Sequence, residues 1–180
     1  MMKLRSFFNV FMLTMLLSAV SVSCRPAQSG PIALASFTEK YVDVSISLER
    51  GADGNAFLSA TFTPSEGHHL YSKNIPINGL EGLGRPTLLE LTEESQMMSL
   101  GALIESVQAQ EPDFEPKELL VYPAGPVTLR LPVELPPGNA WIDDEIKVTY
   151  IACSAYQCKP PVEGKIVRVR IPGAEAFDQQ

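Results

Sequence analysis

The chain has 180 residues, of which 45% are hydrophobic and 19% charged, enough for one globular domain of ordinary size. Its formal net charge is −7, which argues against nucleic-acid binding, because that needs clustered cations to displace counterions from the phosphates. Fifteen prolines spread along the chain argue against long helices.

Residues 1–23 have the layout of an export signal: Lys3 and Arg5, an uncharged apolar run from Phe7 to Val20, then small residues. The apolar run falls short of the roughly 20 residues that a membrane span needs. The string Ser21-Val22-Ser23-Cys24 resembles a bacterial lipoprotein cleavage box, with Ser21 where an aliphatic residue is usual. Lipidation of Cys24 is therefore expected, with membrane attachment through the lipid. Ordinary cleavage a few residues later would discard Cys24 instead. Either outcome leaves one cysteine pair in the mature chain. Residues 24–36, with Pro26, Gly30 and Pro31, are expected to form a flexible tether.

The body, residues 37–173, follows a period of two. Val42, Val44, Ile46 and Leu48 alternate with polar residues, and after a Gly-Ala-Asp-Gly-Asn turn so do Leu58, Ala60 and Phe62. Short strands are expected at residues 68–72, 87–92 and 118–122. Residues 93–109 suit either a short helix or an irregular strand. Val127, Leu129, Leu131, Val133 and Leu135 give the clearest alternation, with Pro132 on the outward face, where it suits an edge or a bulge. Ile146, Val148 and Tyr150 lead into the cysteines, Val167, Val169 and Ile171 form a last strand, and residues 174–180 read as a polar tail. Many short strands, each with one apolar face, are satisfied by two sheets packed face to face, so the expected fold is an all-β, immunoglobulin-like antiparallel β-sandwich. Period and turn spacing leave a closed barrel as the alternative.

Cys153 and Cys158 stand four residues apart at the end of a strand, followed by Pro160 and Pro161. Three readings are open. A structural staple over so short a loop would contribute roughly 2 kcal/mol in the chain-entropy model. A metal site would draw on His68 and His69, but neighbours on a strand point to opposite faces and the spacing matches no zinc pattern. A redox pair would use the closeness of the second thiol to resolve a mixed disulfide rapidly, with Lys159 beside Cys158 favouring thiolate. No other acid–base constellation, phosphate loop or cofactor motif stands in the sequence, so no cofactor and no metal are expected.

Three segments resemble the family of the N-terminal periplasmic domain of the thiol:disulfide interchange protein DsbD. They are Gly67-His68-His69-Leu70-Tyr71-Ser72, the stretch from Asp113-Phe114-Glu115 through Tyr122 to Val133, and Val148-Thr149-Tyr150 leading to Cys153, Cys158 and Pro160-Pro161. They span about residues 40–172. The resemblance implies an immunoglobulin-like fold and a Cys153/Cys158 pair that cycles between dithiol and disulfide, with Cys158 as nucleophile and Cys153 as resolving partner. It implies an aromatic cap at Phe114, with Tyr71 and Tyr150 as further shielding residues. It implies a periplasmic protein-disulfide reductase or interchange activity, with a thioredoxin-like or DsbD-type membrane electron donor and periplasmic disulfide oxidoreductases as partners. Because the sequence carries neither the membrane-embedded segment nor the thioredoxin-like domain of full-length DsbD, the donor is expected to be a separate protein. The competing expectation is a non-catalytic immunoglobulin-like binding or adaptor module with an inert disulfide.

Overall fold

The computed structural model describes residues 30–180. The signal segment, Cys24 and the first part of the tether lie outside the described residues. Nine strands and one short helix follow in order: β1 Ile32–Glu39, β2 Val42–Arg50, β3 Ala56–Pro64, β4 Leu88–Leu91, β5 Met98–Ser99, β6 Ile104–Glu105, β7 Val127–Glu134, β8 Trp141–Tyr150, β9 Val162–Pro172 and α1 Ala174–Asp178. One sheet has the order β1-β2-β3-β7, with β5 and β6 sharing the far edge of β7; the other is β4-β8-β9. All pairings between these strands are antiparallel. The fold is an antiparallel β-sandwich of the immunoglobulin-like kind, with two separate sheets instead of a closed barrel. Among the described residues no helix is long and apolar enough to cross a membrane.

The alternation seen in the sequence builds the core. Val42, Val44, Ile46 and Leu48 of β2, Leu58, Ala60 and Phe62 of β3, and Val127, Leu129, Leu131 and Val133 of β7 are buried in one cluster with Ile146, Val148 and Tyr150 of β8 and Val167, Val169 and Ile171 of β9. Burying each such aliphatic or aromatic side chain contributes about 1.5–3 kcal/mol, so these rows dominate the folding free energy.

Both ends of the domain differ from expectation. Residues 32–36, expected in the tether, belong to β1. A register shift between Ala33 and Ala35 leaves Leu34 and Ala35 both half-buried, and that bulge hides the period of two. The expected polar tail forms α1, whose Phe177 is buried in the main core. Arg50 fixes it there: its guanidinium lies 4.2 Å over the Phe177 ring and donates to the Phe177 carbonyl (2.6 Å) and to Asp178 (2.9 Å).

Residues 93–109 form neither a helix nor one strand, but the two-residue pieces β5 and β6. Pro132 explains the interruption. β5 pairs with Val133 and Glu134, β6 with Leu129 and Arg130, and the chain between them passes Pro132, which has no N–H to offer a neighbour. The Pro132 carbonyl still accepts the Leu100 N–H at 2.9 Å. Residues 68–72 and 118–122, expected as strands, make only single-residue bridges, His69 with Cys153 and Tyr71 with Val121.

Candidate disulfide site

β8 delivers the cysteines. Beyond Tyr150 the chain leaves the sheet, and Ile151 and Cys153 join a second, smaller apolar cluster with Tyr71, Ile75, Leu119 and Val121. Cys153 pairs there with His69 through two main-chain bonds: the His69 N–H donates to the Cys153 carbonyl (2.8 Å) and the Cys153 N–H to the His69 carbonyl (3.1 Å). On its other side, Lys159 N–H donates to the Ala152 carbonyl and Ser154 N–H to the Gln157 carbonyl, both at 2.9 Å. Those bonds flank Cys153 and Cys158 as a directly opposed, non-hydrogen-bonded pair, the arrangement that brings side chains closest. Their Cα atoms are 3.9 Å apart and their sulfurs are joined. The turn between them is closed by Ser154, whose Oγ accepts the N–H groups of Tyr156 (3.3 Å) and Gln157 (3.2 Å).

Directly opposed residues share a face of their ladder, so His69, Cys153 and Cys158 form one cross-strand row. Tyr71, two residues from His69, lies on the same face. These residues line a cleft of about 390 Å³ together with Phe114 and the turn of residues 154–157. Phe114 comes from a loop pinned at its base by two main-chain bonds between Gln110 and Val121 (2.8 and 2.9 Å). Its ring lies 5.7 Å from that of His69, and Tyr71 meets His69 edge-on at 5.2 Å. The two cysteines differ in access: Cys153 is 1% exposed, whereas Cys158 is on the surface beside Tyr156, which is 97% exposed.

Of the residues singled out in the sequence, Cys153, Cys158, Phe114 and Tyr71 come together here. Tyr150 does not. It is fully buried in the main core, edge-on to Phe62 at 5.6 Å, with its hydroxyl donating to the Glu39 carbonyl at 3.1 Å. Its expected shielding role is corrected accordingly: period two points its side chain between the sheets, and the cysteine loop begins only after it. Lys159, expected to favour a Cys158 thiolate, places its ammonium 4.2 Å over the Tyr41 ring. Tyr41 in turn stacks on His68 at 5.1 Å. The two histidines thus point to opposite sides, as strand alternation requires.

Burial lowers the pKa of the His69 imidazole below its ordinary value, and neighbouring His68 adds to the effect. Burial raises that of the Tyr71 phenol. Among the described residues, the Nε2 atom of His69 is buried without a hydrogen-bond partner. Nothing in the sequence marked that atom; it emerges only from the three segments packed around it. A larger cleft of about 800 Å³ against β8 and β9, lined by Asp143, Asp144, Arg168 and Arg170 among others, holds none of the expected site residues. Its charges serve structure: Asp144 accepts from Ser95 (3.0 Å) and from the Gln96 N–H (3.1 Å), and Arg168 pairs with Glu145 (3.1 Å).

The chain is similar to the DsbD N-terminal domain. The solved structure in question is that of the Neisseria meningitidis domain in its reduced form, 18% identical, with 74% of this chain and 86% of that one covered and a TM-score of 0.42. No protein-family model matches the chain, and no curated protein matches it.

Proposed function

We propose that the chain is an exported thiol–disulfide interchange domain that works through Cys153 and Cys158. The observation that carries this reading is their asymmetry: a bonded pair with one cysteine buried and the other on the surface, set in an aromatic-lined cleft outside the main core. A staple has no use for such a cleft, because the sandwich core is complete without the loop.

In the reducing direction the Cys158 thiolate attacks one sulfur of a target disulfide. That S–S bond breaks, the other target sulfur leaves as a thiolate and takes up a proton, and a mixed disulfide remains. The Cys153 thiol, losing its proton, attacks the Cys158 sulfur and displaces the second target thiolate. The target gains two electrons and two protons, and Cys153–Cys158 is oxidised. A dithiol on a thioredoxin-like donor restores the pair by the same steps reversed. The targets are periplasmic oxidoreductases, and a lipid on Cys24 holds the domain at the membrane.

A Cys153→Ser variant is expected to trap a mixed disulfide through Cys158, which mass spectrometry of the conjugate detects. The potential of the pair is expected to lie above the range of structural disulfides; a value of about −300 mV or lower would assign the bond to stability alone. The mature N-terminus is expected to carry lipid on Cys24, and an unmodified terminus beyond Cys24 rules the anchor out.

A further inference from the structure

We infer that His69 is the proton acceptor for Cys153 when Cys153 resolves the mixed disulfide, an inference that rests on the interchange reading above. The buried cysteine of the pair is the one that must lose its proton away from bulk water. His69 stands directly opposite it, held there by the two main-chain bonds of 2.8 and 3.1 Å, with both side chains on one face. Its Nε2 is buried and has no partner among the described residues. Buried polar atoms in folded proteins are nearly always paired, so an orphan beside a redox-active pair points to a partner that another state of that pair supplies. The state observed is the disulfide, in which neither sulfur bears a hydrogen. Reduction creates the Cys153 S–H, a donor that can meet the unpaired Nε2 lone pair of a neutral imidazole.

The groups that face His69 leave it the task. From its own segment comes Tyr71, whose phenol burial keeps protonated. From the loop beyond Gln110 comes Phe114, which is apolar and screens the ring from water. From the turn after β8 come the two cysteines. His68 lies on the other side, against Tyr41, with its Nδ1 3.2 Å from the Glu66 carbonyl. Desolvation keeps His69 neutral near pH 7, the form that accepts a proton. The step balances: the S–H proton passes to Nε2, the Cys153 sulfur bonds to that of Cys158, the mixed S–S bond breaks, and the departing thiolate takes the proton from the imidazolium or from water.

The test uses the full chain with Cys24→Ser, reduced, and dithiobis(nitrobenzoate) as the disulfide. Cys158 releases the first thionitrobenzoate and Cys153 the second, so attack and resolution are read separately. His69→Phe and His69→Gln are expected to slow the second release by about 100-fold at pH 7, far more than they slow the first. In the unsubstituted chain the second release is expected to rise with pH through an inflection below 6.5; in the variants it moves up towards the ordinary thiol range near 8.5. A second release unchanged in rate and pH profile in folded variants overturns the inference and leaves the interchange reading intact. Should the variants not fold, an inflection near 8.5 in the unsubstituted chain overturns it equally. If the first release fails to occur, it is the reading of Cys158 as attacking thiol that falls.

Discussion

At Cys153 the side chain is sealed by His69, Tyr71 and Phe114, whereas Cys158 meets solvent a few ångströms away. Phe114 is itself 38% exposed, so it covers the cleft more than it supports the fold. Phe114→Ala is expected to raise the rate at which dithiothreitol reduces the bond several-fold, with the urea midpoint almost unmoved. Tyr150→Phe is expected to do the opposite. It removes the bond to the Glu39 carbonyl, lowers stability by about 1 kcal/mol, and leaves the rate of reduction unchanged. One contribution to acid sensitivity also belongs to a single residue, His69. Because the His69 value is lowered on folding, its contribution to stability is intact above the ordinary value of 6.5 and is lost as pH falls through the lowered folded value. Denaturant titrations between pH 7 and pH 5 should therefore lose less stability in His69→Phe than in the unsubstituted chain.

Among the elements, those with one fully buried face are the ones whose period could be read. β2 and β7 carry buried residues at every second position and their sequences alternate without a break, and β3 keeps the same period through Leu58, Ala60 and Phe62 although Ser59 between them is also buried. β1 escapes because its bulge puts two consecutive residues on the half-buried side. β5 and β6 escape because two-residue strands are shorter than any period and exist only where β7 offers hydrogen bonds on either side of Pro132. α1 escapes because one buried aromatic carries it. Phe177→Ala is expected to cost about 3–5 kcal/mol, visible as a lower urea midpoint, since the ring fills core space and the helix has no other large buried residue. Arg50→Ala should cost less, because the ring can stay buried while its carbonyl and Asp178 turn to water.

For the whole molecule, the sandwich and the site are energetically separable. The disulfide closes a turn of only a few residues beside a small apolar cluster, while the large cluster spans both sheets. Reducing it removes roughly 2 kcal/mol in the chain-entropy model. For a domain of this size that lowers Tm by about 4–8 °C. Far-ultraviolet circular dichroism should then keep the same strand signal in both redox states, and a collapse of that signal on reduction would show that the bond is a structural staple. A scaffold that tolerates both states is what a pair that cycles requires.

Sequence alone determined a fold of many short strands, the apolar rows of the main ones and the place of the cysteine pair, because alternation and turn residues act over a few neighbouring positions; it left sandwich and barrel unseparated and missed the first residues of β8 and β9. Resemblance, rather than period, singled out Phe114 and Tyr71, which line the same cleft as the cysteines. Tertiary structure decided that Tyr150 serves the core, that Lys159 rests on Tyr41, and that His69 shares a face with Cys153 and Cys158. Those facts depend on which segments of distant sequence pair with one another. Cys153 lies 84 positions beyond His69 in the numbering, and only the pairing of their main chains makes them neighbours.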